Sequence, residues 1–527
     1  MGRESLIELL RAAAERFAER CALQDGSQQV HYRELLQQAS RVAGRLNAQG
    51  LQRGDRVAFI LPNSIEFVAA YYGVLMAGGV AVLLNAAAKV RDFAAWLVDC
   101  DPAFVLLDAN HADATTAVAG LARTPQVWKV SGDAAAPFGL RPGDTVENAI
   151  DAASGTGFGR ALFDAQVGTI ADAVDVAPDA AACILYTSGT TSRPKGVVLS
   201  HRNLAANTIA IVEYLNLTCE DSIVTVLPFY YSYGSSVLHT HLAAGARLVL
   251  ERNLVYPHAV IESLARERAT GFAGVPSTFA LLLARVKLHE YDLSALRYLT
   301  QAGGAMSPAL TQQLRAALPR AAVVVMYGQT EATARLSYLP HEQLDRKLGS
   351  VGIAVPGVQL EVRDEHGVPI AVGESGEVWA RGANIMLGYW RNEAATAEVK
   401  RNGWLRTGDM GHMDADGFLF LAGRRSDMIK SGAHRIHPQD IEDAIAELPQ
   451  VLEAAVVGID DALLGQAIKA FVVLVPGATL SPMQIQAHCR ERLANYKTPK
   501  SVAIVAALPR TASGKIRRTA LLETTSP

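Results

Sequence analysis

A chain of 527 residues is too long for one ordinary hydrophobic core, so two or more domains are expected. Half of the residues are apolar and 19% are charged, which excludes a disordered chain, and a net charge of -3 offers no footprint for nucleic acid or an acidic membrane. The five cysteines (Cys21, Cys100, Cys183, Cys219 and Cys489) are dispersed without a CxxC pair, which argues against a zinc site or a disulfide framework and fits a reducing cytoplasm.

In chain order, Met1 to Arg20 reads as an amphipathic helix rather than a signal peptide, because Glu4, Glu8, Arg11, Glu15 and Arg16 interrupt any apolar run. Phe67 to Leu84 has the length of a membrane span, but Gly78-Gly79 divides it into a buried helix and a buried strand, Val80 to Leu84. Strand-length apolar runs at Arg56 to Leu61, Phe104 to Leu107, Ile223 to Leu227, Arg247 to Leu250 and Ala322 to Met326 alternate with helical segments such as Ile65 to Met76 and Leu204 to Leu215. That alternation predicts α/β layers with largely parallel sheets. The alanine-rich stretch from Ala109 to Ala182 has weak periodicity and reads as a variable surface connection.

From Gly349 to Leu421 short strands separated by glycine turns predict a β-rich subdomain. Beyond Gly423 the pattern is mixed: a helix over Pro438 to Glu447, strands at Ala454 to Gly458 and Lys469 to Val475, and a helix over Ser481 to Leu493. About a hundred residues suffice for a separate α+β domain. The chain carries no internal repeat. The expected division is residues 1–423 (with the β-rich part at 349–421), a junction at 424–427, and a small C-terminal domain at 428–527.

The most informative segment is Tyr186-Thr187-Ser188-Gly189-Thr190-Thr191-Ser192-Arg193-Pro194-Lys195-Gly196, set between the short strands Ala182 to Leu185 and Val197 to Leu199. Hydroxyls, glycine amides and one ammonium in a tight loop are what a polyphosphate needs. It is not a Walker A loop, since Lys195 is followed by Gly196-Val197 rather than by Ser or Thr opening a helix.

This segment resembles the phosphate loop of the AMP-forming adenylating enzymes, which include acyl-CoA synthetases, peptide-synthetase adenylation domains and firefly luciferase. Ser192 stands where glycine is usual. The resemblance extends over nearly the whole chain and is strongest to acyl-CoA synthetases. It implies that Thr187, Ser188, Gly189, Thr190, Thr191 and Lys195 hold ATP phosphates. Gln301-Ala302-Gly303-Gly304-Ala305 is similar to the adenine-contacting turn, and Tyr327-Gly328-Gln329-Thr330-Glu331 to a motif whose tyrosine packs on adenine. Gly303, Gly304, Ala305, Tyr327 and Gly328 would then surround the base, Thr330 would bond the α-phosphate, and Glu331 would hold Mg²⁺. Gly403-Trp404-Leu405-Arg406-Thr407-Gly408-Asp409 resembles the ribose motif, with Asp409 accepting from both hydroxyls and Arg424 bonding ribose or phosphate.

Gly423 to Lys430 resembles the family's hinge, with uncharged Ser426 where Asp or Lys is usual. Gly432 and Ala433 fall on the loop that lines the thiol tunnel, and Lys515, in Ser513-Gly514-Lys515, on the terminal catalytic loop. Leu227 to Gly234 resembles the aromatic motif beside the acyl pocket, which places Tyr231, Ser232 and Gly234 there. No carboxylate occurs between Asp221 and Glu251 to pair with an α-ammonium, so an acid without an α-amine is favoured.

The fold implied is a large N-terminal region of layered α/β sheets with a β-rich subdomain, plus a small mobile α+β C-terminal domain. The expected catalysts are Lys515, Thr330 and Lys195, and the reactants MgATP, a carboxylic acid and the thiol of CoA. Two alternatives stay open at this point: the phosphopantetheine of a carrier protein as acceptor, and a luciferase-like oxygenation of the adenylate.

Overall fold

The computed structural model describes residues 4–108, 110–130, 157–158, 174–187, 195–251, 256–431, 434–461, 465–511 and 515–523. Its first sheet has nine strands, of which six parallel ones lie side by side in the order Cys21–Asp25, Arg247–Leu250, Ser222–Thr225, Gly271–Gly274, Tyr298–Gln301, Ala322–Tyr327. A second sheet of eight strands is built on Arg56–Ile60, Val80–Leu83, Phe104–Asp108 and Ala181–Thr187, also mutually parallel where they pair. Strands buried on both faces need continuous Val, Ile and Leu runs, and Val57 to Ile60, Val80 to Leu83 and Val323 to Met326 supply them.

The segment of membrane-span length folds as the sequence predicts, into the buried helix Ile65–Met76 and the strand Val80–Leu83, with Gly78 turning at φ +80°. Gly73 lets that helix press against the helix Tyr32–Ala48, since a Cβ there would lie 2.6 Å from Val42 Cβ. No helix among the described residues is long and apolar enough to cross a membrane.

One expectation is corrected. The alanine-rich stretch is not merely a surface connection: Ala112–Ala119 is a helix, and Gln126–Val130 extends the second sheet with Trp128 1% exposed. Residues 131–156 and 159–173 lie outside the described residues. The β-rich part has a sheet of its own and is tied to both large ones. Five of its strands, among them Gly376–Gly382 and Trp404–Met413, make an antiparallel sheet, but Ile353–Ala354 joins the first large sheet and Gly388–Tyr389 the second. These two short strands fasten the β-rich part to both layers.

After the short 3₁₀ turn Arg425–Asp427 comes a five-stranded sheet that includes Val451–Asp461 and Gly465–Leu474, backed by the helices Pro438–Ala446 and Pro482–Arg492. Its core is its own: Ile429, Ile436, Ile441, Ile445, Val456, Ile468, Val472 and Ile485 are all at most 3% exposed. Each such side chain contributes about 1.5–3 kcal/mol by leaving water.

Candidate active site

Parallel strands end on the same side of their sheet, and ligands of such sheets bind beyond the carboxyl ends. Ser222–Thr225 runs out into Leu227-Pro228-Phe229, Tyr298–Gln301 into the Gly303-Gly304 turn, and Ala322–Tyr327 into Gly328 and Thr330. The topology thus gathers three segments, spread from Leu227 to Thr330, at one edge. Gly303 turns at φ +86°, and Gln301 Nε2 donates to the Gly304 carbonyl at 2.8 Å, closing the turn on itself. Gly304 and Ala305 face solvent, leaving their backbone approachable. Gly328 is demanded by packing, because a Cβ would sit 2.0 Å from the Ala334 carbonyl oxygen.

Asp409 and Arg424 are cross-strand partners on the antiparallel strands Trp404–Met413 and Leu419–Arg424, and Arg424 Nε meets Asp409 Oδ1 at 2.7 Å. Tyr327 donates its hydroxyl to the other carboxylate oxygen at 2.6 Å. Burial pushes the Asp409 carboxyl up, and the Arg424 charge and the Tyr327 hydrogen bond oppose it. Tyr327 therefore does something the sequence did not reveal: it anchors Asp409 through its hydroxyl.

The segment that resembles a phosphate loop begins and ends on an antiparallel strand pair, Ala181–Thr187 with Lys195–Ser200, in which Thr187 pairs with Lys195. Ser188, Gly189, Thr190, Thr191 and Ser192 lie outside the described residues. Lys195 Nζ lies 5.2 Å from the centroid of the Tyr389 ring, and the Tyr389 hydroxyl donates to Glu331 Oε1 at 2.9 Å. Tyr389 thus links the loop lysine to the Glu331 carboxylate. Sequence reasoning missed it, because its place opposite Val197 emerges only from the strand pairing. Thr330 Oγ1 lies 3.3 Å from Ser232 Oγ, so the nucleotide motif and the aromatic motif touch.

Lys515 arrives from the far end of the chain. Although solvent reaches the residue, its ammonium interacts with Arg424, Asp409 and Glu331. Desolvation of that charge and repulsion by Arg424 lower its pKa against the pull of the two carboxylates. Ser426 is exposed, with its hydroxyl 3.1 Å from Asp427 Oδ1, and Arg425 beside it reaches Glu377 at 3.5 Å. Gly432 and Ala433 lie outside the described residues.

On the acyl side, Asn63 clamps the aromatic motif by donating to the Leu227 carbonyl and accepting from the Phe229 amide, each at 2.8 Å. Tyr231 caps the helix Ser232–Ala244 and packs against Tyr230. Gly234, expected at the acyl pocket, has a packing reason instead: a Cβ there would lie 2.1 Å from the Pro228 carbonyl oxygen. Ser232 lines a cavity together with Asn207, Thr208, Ser235, Ser236 and His239. His239 Nε2 and Asn207 Oδ1 are buried there without hydrogen-bond partners, and burial lowers the His239 pKa to about 3, so the ring is neutral.

Residues 10–390 match the model of the AMP-binding enzyme family, and residues 440–515 match that of the AMP-binding enzyme C-terminal domain. The chain belongs to the AMP-binding enzyme family. It is 31% identical to a long-chain-fatty-acid–CoA ligase of Bacillus subtilis (strain 168), covering 99% of this chain and 94% of that protein. Its fold superposes on ATP-bound MatB from Rhodopseudomonas palustris with a TM-score of 0.85 at 29% identity, over 99% of both chains. The anthranilate CoA ligase AuaEII, solved in complex with anthranoyl-AMP, gives a TM-score of 0.88 at 25% identity over 99% of this chain and 97% of that one. The chain is an acid–thiol ligase: it activates a carboxylic acid as an acyl-AMP and transfers the acyl group to CoA.

Proposed function

We propose that the acid carries no α-amine and that the gathered residues divide the two half-reactions between them. Asp409 takes the ribose hydroxyls, exchanging its Tyr327 contact for them, while Arg424 steadies ribose or phosphate. Thr187, Lys195 and the loop between them hold the phosphates, and Thr330 donates to the α-phosphate. The acid oxygen forms a bond to the α-phosphorus as the bond to pyrophosphate breaks. Lys515 offsets the charge that gathers on that phosphorus. The observation that most supports this reading is that the Lys515 charge lies within electrostatic reach of Asp409, Glu331 and Arg424, of which Asp409 and Arg424 are paired at 2.7 Å.

Glu331 suits Mg²⁺, which takes one or two carboxylates plus phosphate oxygens rather than a full protein cage. Tyr389 fixes one of its oxygens and leaves the other for the ion. No group of three or more His, Cys, Asp or Glu among the described residues offers a richer site. When bound, the ion would neutralise phosphate charge.

The small domain, residues 428–527, then turns about Ser426 and brings the loop of Gly432 and Ala433 to the thiol. The exclusion of α-amino acids is supported by Asp221, the nearest preceding carboxylate, which is already engaged by Arg297 at 3.0 Å and by Thr270 at 2.8 Å. Pyrophosphate release across a panel of carboxylic acids, with CoA, with a holo carrier protein and with neither, tests the reading. A simple acid should release pyrophosphate without any thiol and give a thioester only with CoA. Fast exchange with a common amino acid, matching the best simple acid, would refute the acid class.

A further inference from the structure

Beside the cavity lined by Ser232 lies a second one, and the two share Ser236. The second is lined by Ile211, Val237, Thr240, His241, Tyr298 and Arg335, among others. Arg335 is unusual for an interior residue, being 3% exposed. Its Nε points to the Met326 sulfur at 3.3 Å and its Nη1 to the Ala334 carbonyl at 3.3 Å. Its guanidinium lies 4.2 Å from the centroid of the Tyr233 ring, and Tyr214 supplies a hydroxyl. Among the described residues no carboxylate forms an ion pair with it. A guanidinium carries five N–H donors and a permanent charge. A sulfur, one carbonyl, a phenol and a ring face satisfy neither well, and a buried charge left without its counter-charge is costly.

Nothing else around the cavity offers a negative charge. His241 is neutral: burial lowers its pKa to about 4, its Nδ1 lies 2.8 Å from the Val237 carbonyl, and its Nε2 is 2.6 Å from the Tyr298 hydroxyl. No aspartate or glutamate lines either cavity. The described residues therefore leave the place of an anion beside Arg335 open.

We propose that Arg335 binds a second anionic group on the acid, so that the substrate is a dicarboxylic acid activated at one end only. This rests on the adenylation reading above. The carboxylate that reacts sits by Thr330 and Ser232, and the one that does not reaches past Ser236 to Arg335. Ser232 and Ser236 are one helical turn apart, roughly 6 Å, so the spacer is a few carbons long. Ser232, Ser235 and Ser236 give that path one small, polar side, while Leu185, Leu199 and Leu204 make the other apolar, as a short carbon spacer between two charged ends requires.

The test is pyrophosphate release from a series of α,ω-dicarboxylic acids beside monocarboxylic acids of equal carbon number. A site built to pair with a charged group strongly rejects the analogue that lacks it. The best diacid should therefore exceed its monoacid counterpart in kcat/KM by about thirtyfold or more. Arg335→Met should lower the diacid value by about a hundredfold while leaving or raising the monoacid value, and Arg335→Lys should recover part of the loss. A wild-type preference for monoacids, or an equal fall in both series on Arg335→Met, would overturn the assignment. Should Arg335→Met fail to fold, the wild-type preference and the Arg335→Lys ratio decide alone. If no acid releases pyrophosphate, the adenylation reading has failed. The subsite is then judged separately, by whether the diacid raises the wild-type Tm without ATP and the monoacid does not.

Discussion

The nucleotide half and the acyl half of this site are built on opposite principles. On the nucleotide side the charged groups have partners within the chain: Asp409 holds Tyr327 and Arg424, and Glu331 holds Tyr389. On the acyl side Thr208, Ser235 and Ser236 bond to backbone carbonyls, but three polar groups are stranded among the described residues. Asn207 Oδ1 and His239 Nε2 lack partners, and Arg335 lacks a counter-charge. Groups that serve one ligand common to every turnover can be preorganised by their neighbours, which lowers the reorganisation needed during reaction. Groups that recognise a particular acid are completed by that acid, and their cost in its absence is carried by the surrounding core.

The largest way to break this contrast is to remove the one nucleotide-side charge that depends on the small domain. Lys515→Ala should lower acyl-adenylate formation about a thousandfold, the loss of a charge aimed at the reacting phosphorus. Thioester formation from supplied acyl-adenylate should be largely spared. Equal loss in both half-reactions would mean that Lys515 holds the fold rather than the transition state.

A smaller break separates the domains in time. Ser426 carries no charge, and the electrostatic hold on this junction comes from the pairs Arg425–Glu377 and Arg424–Asp409. What Ser426 supplies is backbone freedom, and proline would fix φ near -65° and remove a donor. Ser426→Pro should spare one half-reaction and lower the other by about a hundredfold, or about 3 kcal/mol. Ser426→Ala should change each by less than about tenfold. Both rates near wild type in the proline variant would show that rotation is centred elsewhere.

Asp409→Asn probes the paired side directly. It keeps the shape but leaves Arg424 without its anion and the ribose with a weaker acceptor. About 2 kcal/mol is expected, read as a rise of about thirtyfold in the KM for ATP with a smaller change in kcat. A fall in kcat with KM unchanged would place Asp409 in the chemistry instead.

What the sequence made legible follows the same division. Thr330 follows the end of a strand, Asp409 lies inside one and Lys515 in a terminal segment, but each stands in a short run whose order is itself a signal, so all three could be singled out as candidates from local order. Tyr389 and Arg335 could not, because each acts through partners distant in sequence: Lys195 for one, Tyr233 and Tyr214 for the other. The alanine-rich stretch hid a strand because Gln126–Val130 is short and its alternation covers only five residues. The two strands that leave the β-rich part for the large sheets are two residues each, too short for any period to show.

The smallest expected effect tests whether partnering on the nucleotide side is functional or incidental. Tyr389→Phe removes the hydroxyl that donates to Glu331 and keeps the ring that Lys195 faces. Burial and the adjacent Glu331 raise the Tyr389 pKa, so the wild-type group remains a protonated donor throughout the working pH range. Its loss frees Glu331 to rotate, and one hydrogen bond to a partly exposed carboxylate accounts for about 1 kcal/mol. The expected outcome is a fall of about fivefold in pyrophosphate release at limiting Mg²⁺, recovered at high Mg²⁺, because a loosely held carboxylate binds the ion more weakly but in the same place. Thioester formation from supplied acyl-adenylate should not change. If Mg²⁺ dependence stayed at the wild-type value while both half-reactions slowed together, Tyr389 would be packing the junction of the two sheets, and the paired state of Glu331 would have no part in binding the metal.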